Sequence, residues 1–106
     1  MNESMTINTE QELREFLRGK KRAVVVFGKH DCLHCTIVKN CIESVERHFP
    51  LIDFYYTEVR EFADARHIDA FPVTILYENG SEIARLVGSK HATKVRDIFN
   101  LWFIKE

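Results

Sequence analysis

Cys32 and Cys35 are separated by Leu33 and His34. They stand between an apolar run, Ala23-Val24-Val25-Val26-Phe27, and a segment of helical periodicity. Two thiols at this spacing at a helix start can close a small disulfide ring. The first of them sits where unpaired backbone amides and the helix dipole favour an anion. The thiolate is the nucleophile of disulfide exchange, so the placement bears on reactivity as well as geometry. A Cys-x-x-Cys pair after a strand and before a helix therefore predicts redox chemistry. The competing use is half of a zinc site. Zinc takes four ligands, often from two such pairs, and only one further cysteine, Cys41, is present. A helix start would not easily bring His30 and His34 round one ion, so neither a metal nor a dissociable cofactor is expected.

The elements that must hold these thiols follow from the pattern. Thr9 and Glu12 form a capping box, and Leu13, Phe16 and Leu17 then recur at helical spacing up to Gly19. Ala23 to Phe27 is continuously apolar, as in a strand covered on both faces. Val38, Cys41, Ile42, Val45 and Phe49 mark a second helix that Pro50 ends. Leu51 to Thr57 reads as another buried strand, and Glu61 to His67 as a short helix. Val73 to Tyr77 and Glu82 to Val87 read as a hairpin turned by Asn79-Gly80. Val95, Ile98, Phe99, Trp102 and Phe103 form the stripe of a terminal helix, and a short leading strand is expected around Met5-Thr6-Ile7. The order predicts an α/β fold: one mixed central sheet with helices on both faces.

Composition limits what such a chain can do. At 106 residues it is expected to form one domain, 1–106. The apolar share of 45% and charged share of 29% are those of a globular protein. With a formal net charge of −1 and only the short basic run Lys20-Lys21-Arg22, nucleic acid and membrane surfaces are not expected partners. No segment approaches the roughly 20 apolar residues of a membrane span, and Met1 to Thr6 lacks the apolar stretch of a signal peptide. A cytoplasmic monomer is the expectation. In that compartment a Cys-x-x-Cys is catalytic or metal-binding rather than structural.

The Cys32/Cys35 pair, Phe71-Pro72 at 37 residues beyond Cys35, Asn79-Gly80 and Gly88 together make the chain resemble the thioredoxin superfamily over nearly its whole length. The resemblance implies a thioredoxin fold, with Pro72 following a cis peptide bond and facing the dithiol. It implies thiol–disulfide exchange in which Cys32 attacks, Cys35 resolves the mixed disulfide, and Leu33, Phe71 and Pro72 receive the partner. Substrates would be disulfide-containing proteins, with electrons supplied by a reductase or a small thiol. The Gly-Gly signature of glutaredoxins is missing.

The departures from the family pattern carry information. Where the family has Trp-Cys-Gly-Pro-Cys, this chain has Asp31-Cys32-Leu33-His34-Cys35. Val26 stands at the place of a buried aspartate, and Tyr56 near that of its lysine partner. Losing both charges together avoids a lone buried ion, and it leaves Cys35 without the usual proton acceptor. His34 precedes the second cysteine, as in disulfide isomerases and periplasmic oxidants, and would modulate the couple by favouring the Cys32 thiolate. Two other readings stay open at this point: a non-catalytic adaptor on the same fold, and a more oxidising oxidase or isomerase. Cys41, six residues or about 600° of helix beyond Cys35, reads as a core thiol. His30 and Asp31 fit equally a plain rim or a functional role.

Overall fold

The computed structural model describes residues 6–104. Four strands, β1 (Arg22–Phe27), β2 (Asp53–Thr57), β3 (Val73–Glu78) and β4 (Ser81–Val87), form one sheet in the order β2-β1-β3-β4. β1 runs parallel to β2 and antiparallel to β3, and β3 runs antiparallel to β4. Helices α1 (Glu10–Arg18) and α3 (Arg60–Ala65) cover one face, and α2 (Leu33–Val45) and α4 (Val95–Ile104) cover the other. The expected mixed sheet with helices on both faces is what the chain forms.

Strand β1 shows why an unbroken apolar run was needed. Ala23, Val25 and Phe27 pack with Leu13, Phe16, Leu17 and Phe62, while Val24 and Val26 pack with Val38, Ile42, Phe99 and Trp102. Alternate side chains thus enter opposite cores, and every residue of the strand is buried. On the first face Arg66, just past α3, gives two guanidinium hydrogen bonds to Glu10 of α1 (2.8 and 3.0 Å) and a third to the Tyr77 hydroxyl (3.0 Å). That ties both helices of this face to β3.

The capping box at Thr9 forms in full: Glu12 N–H donates to the Thr9 hydroxyl, and Thr9 N–H to the Glu12 carboxylate. Asn79 and Gly80 both take positive φ (51° and 85°), as a two-residue hairpin turn requires. Several boundaries differ from the sequence reading; α3, read as Glu61 to His67, runs from Arg60 to Ala65. α2 stops at Val45, and a 3-10 turn over Glu46–His48 carries the chain to Phe49 and Pro50. β2 starts at Asp53, because Leu51 is exposed in the turn that precedes it. Thr6 and Ile7 join no strand; instead Ile7 N–H donates to the Tyr55 hydroxyl (3.1 Å) and its side chain enters the core. Met5 and the Phe103 side chain lie outside the described residues.

Candidate active site

β1 delivers the chain to the site. Gly28 extends its pairing, donating N–H to the Thr57 carbonyl (2.9 Å), and a Cβ at Gly28 would overlap the Tyr56 ring and hydroxyl. Asp31 then takes a left-handed conformation (φ 53°) that lets the chain turn into α2. Cys32 is the N-cap of that helix, in extended backbone (φ −128°). Its Sγ accepts the backbone N–H of Cys35 at 3.2 Å, satisfying one of the amides that a helix start leaves open. The two sulfurs are joined as a disulfide across a Cα separation of 5.2 Å. Cys35 is 1% exposed, whereas Cys32 is only partly covered. The pair is asymmetric: one sulfur can be approached from solvent, and the other is shielded behind it.

Phe27 pairs with Val73, so the loop leaving β1 and the loop entering β3 share one end of the sheet. The peptide bond between Phe71 and Pro72 is cis, and Pro72 is fully buried. Lys29 and Arg60 each place a cationic head 5.9 Å from the centre of the Phe71 ring, linking that residue to the loop before the dithiol. Gly88, at positive φ (78°), donates its N–H to the Pro72 carbonyl (2.8 Å). The next residue, Ser89, places its hydroxyl oxygen 2.6 Å from His34 Nδ1. Three loops distant in sequence are therefore linked around the cysteines. Leu33, 71% exposed, Ile37 and Val87 supply exposed apolar surface on α2 and β4.

On the side of α2, Val26 and Tyr56 are opposed across β1 and β2. The Tyr56 hydroxyl donates to Glu58 (2.7 Å), and Lys39 of α2 lies 4.8 Å from the ring centre. Burial pushes the Tyr56 phenol well above its usual pKa, and the Glu58 carboxylate adds to that through its hydrogen bond and charge. Glu58 also lies 3.6 Å from His30, which is otherwise open to solvent. The polar group beside the buried valine is thus a neutral phenol. Cys41 is half-buried rather than fully buried; its S–H donates to the Ala92 carbonyl (2.7 Å), and burial raises its pKa.

Of the residues expected from sequence, Cys32, His34 and Cys35 stand together at the start of α2, and Phe71 and Pro72 enter the same end of the sheet. Ser89 and Ile37 escaped that reading. Ser89 has no local signature, but Ile37, one turn from Leu33 and off the buried stripe of α2, could have been read as a surface apolar residue.

The family profile described as Thioredoxin matches residues 4–100. The chain belongs to the thioredoxin family. It is 31% identical to Thioredoxin-1 of Saccharomyces cerevisiae over 87 residues, spanning 79% of this chain and 84% of that protein. It is 28% identical to Thioredoxin of Mycoplasma genitalium over 97 residues, 89% of this chain and 95% of that one. The solved thioredoxin of Plasmodium falciparum superposes with a TM-score of 0.81 at 17% identity, covering 91% of this chain and 96% of its own. This thioredoxin-family protein is a thiol–disulfide oxidoreductase with a Cys-x-x-Cys dithiol. Membership in the family implies disulfide substrates and a reductase as donor. Among the described residues, no helix is long and apolar enough to cross a membrane.

Proposed function

We propose that the protein reduces protein disulfides with Cys32 as attacking sulfur and Cys35 as resolving sulfur. The Cys32 thiolate attacks one sulfur of the substrate disulfide, forming a Cys32–substrate bond and expelling the other substrate sulfur as a thiolate that takes up a proton. Cys35 then loses its proton and attacks Cys32 Sγ. The mixed disulfide breaks, the Cys32–Cys35 bond forms, and the second substrate sulfur leaves as a thiolate and is protonated. Two electrons and two protons have passed to the substrate. A reductase or small thiol returns them to the protein.

The observation that carries this reading is the asymmetry of the pair: Cys32 Sγ receives an amide N–H at the N-terminus of α2, and Cys35 is buried behind it. Leu33, Phe71 and Pro72 would shape the groove for the partner's extended backbone, and His34 would favour the Cys32 thiolate. The reading includes a monomeric, cytoplasmic, single-domain protein. Its support is the use of cysteine: one dithiol and one half-buried thiol, not a framework of structural disulfides. His34 between the cysteines favours one variant, in which the same couple runs in the oxidising direction. Insulin reduction driven by dithiothreitol tests the role of Cys32. Wild type should accelerate it and Cys32→Ser should not; turnover retained in Cys32→Ser would overturn the assignment.

A further inference from the structure

We infer that Ser89 is a positioning residue for the dithiol, acting through His34. The inference rests on the role of His34 proposed above and adds the device that holds the imidazole in place. His34 is exposed, at the second position of α2, and an exposed imidazole is free to sample several rotamers. Here its Nδ1 lies 2.6 Å from the Ser89 hydroxyl, 55 residues away in sequence, a contact that favours one of them.

The anchor is itself well held. Gly88 N–H donates to the Pro72 carbonyl, and the Ser89 carbonyl accepts Ala92 N–H (3.0 Å) at the start of a 3-10 turn. The Ala92 carbonyl in turn accepts the Cys41 S–H, so α2 is pinned to this segment a second time, two helical turns further on. The hydroxyl thus sits on a segment tied to the loop of the cis proline and to the body of α2.

A hydroxyl suits this task because it serves both states of the imidazole. It donates to Nδ1 of the neutral ring and accepts from Nδ1–H of the charged ring, so the anchor survives protonation. Nδ1 is occupied either way, and Nε2 makes no hydrogen bond among the described residues. A ring held at the start of α2 acts on the Cys32 thiolate from a fixed place. A freed ring spreads its charge over several positions and into solvent, and its effect on the couple weakens. Ser89 would therefore hold the couple on its more oxidising side. The effect is separable from a general effect of the loop, because it exists only while His34 is present.

The test is the dithiol–disulfide equilibrium of the full chain against glutathione at pH 7, measured for Ser89→Ala, Ser89→Thr, His34→Ala and the double variant Ser89→Ala/His34→Ala. His34→Ala should shift the equilibrium toward the oxidised protein. Ser89→Ala should shift it the same way by a smaller factor than His34→Ala, since it weakens the hold on the imidazole without removing the ring. Ser89→Thr should stay at the wild-type value, and Ser89→Ala should add nothing once His34 is gone. A silent Ser89→Ala beside a shifting His34→Ala would overturn this inference and leave the role of His34 standing. So would an equal effect of Ser89→Ala in both backgrounds. A silent His34→Ala would overturn both.

Discussion

Val26 on β1 and Tyr56 on β2 are register partners across the parallel strand pair, and both enter the core that α2 covers. The resemblance to the thioredoxin superfamily places a buried aspartate and its lysine at or near these two positions. Here a hydrocarbon faces a phenol, and neither brings a charge into the sheet beneath α2.

That pairing makes a reversal costly. Val26→Asp would bury a carboxylate opposite a phenol, at a site with no solvent exposure. At neutral pH the variant should lose about 3–5 kcal/mol of stability, the usual cost of an uncompensated buried charge. Burial raises the pKa of such a carboxyl above its unfolded value, so the loss should shrink as pH falls and grow as pH rises. Adding Tyr56→Lys should return part of the stability. Denaturant unfolding of both variants at two pH values measures this.

The couple should be less reducing than thioredoxin's value of about −270 mV by several tens of millivolts. On the proposed reading His34 favours the Cys32 thiolate, and Val26 in place of an aspartate leaves out a buried negative charge that would oppose it. About 1.4 kcal/mol of thiolate stabilisation corresponds to one pKa unit and to about 30 mV in a two-electron couple. Replacing Leu33-His34 by Gly-Pro should move the potential back toward the reducing side. A redox titration that places wild type at or below thioredoxin, unmoved by the swap, would count against any electrostatic role of His34.

The burial of Cys35 sets an order of reactivity. In the reduced protein, iodoacetamide should label Cys32 first, and Cys35→Ser should accumulate mixed disulfides visible by mass spectrometry under non-reducing conditions. Faster labelling of Cys35 would reverse the two roles.

Cys41 should stay reduced and react with iodoacetamide more slowly than an exposed thiol at pH 8, since burial raises its pKa. The rate should go on rising with pH beyond 9, where an exposed thiol has begun to level off. Rapid labelling without denaturant, or a disulfide joining Cys41 to another cysteine, would contradict its placement against Ala92.

The Glu10–Arg66 pair should show in acid. Burial works to raise the Glu10 pKa, but the hydrogen bonds and charges of Arg66, and then of Arg14, outweigh it and hold the carboxyl below 4.5. A carboxyl lowered on folding contributes stability that is present above its unfolded pKa and lost as pH falls through the folded one. Glu10→Gln should therefore cost about 1–2 kcal/mol at pH 7. Its stability curve should converge on that of wild type only as pH falls through the lowered folded-state pKa of Glu10, where the wild-type carboxyl is protonated as well.

Much of the fold could be read from the sequence because its signals are local. Thr9 with Glu12, Asn79-Gly80, and the unbroken run before Cys32 each specify a cap, a turn or a doubly covered strand without help from elsewhere. The end of α2 was less legible: the apolar spacing runs on to Phe49, but a 3-10 turn takes up the last residues and still buries that ring. In the site, the cysteines are marked by spacing and Phe71-Pro72 by the family pattern. The contacts of Ser89 with His34 and of Glu58 with His30, and the opposition of Val26 to Tyr56, depend on chain crossings that no short window of sequence contains.

Among the described strands β1 is synthesised before the other three, yet it lacks its second neighbour until β3 has been made. On the ribosome, Cys32 and Cys35 emerge before Pro72, Gly88 and Ser89 exist. A helix as short as α2 is marginal by itself in water, so the amide and dipole that would activate Cys32 are not yet in place either. During translation the chain carries two ordinary thiols. On the proposed reading, activation of the nucleophile and the surface that would select its partner arrive together, when β3 and β4 complete the sheet, so a chain not yet folded that far is spared a reactive cysteine with no control over what it meets.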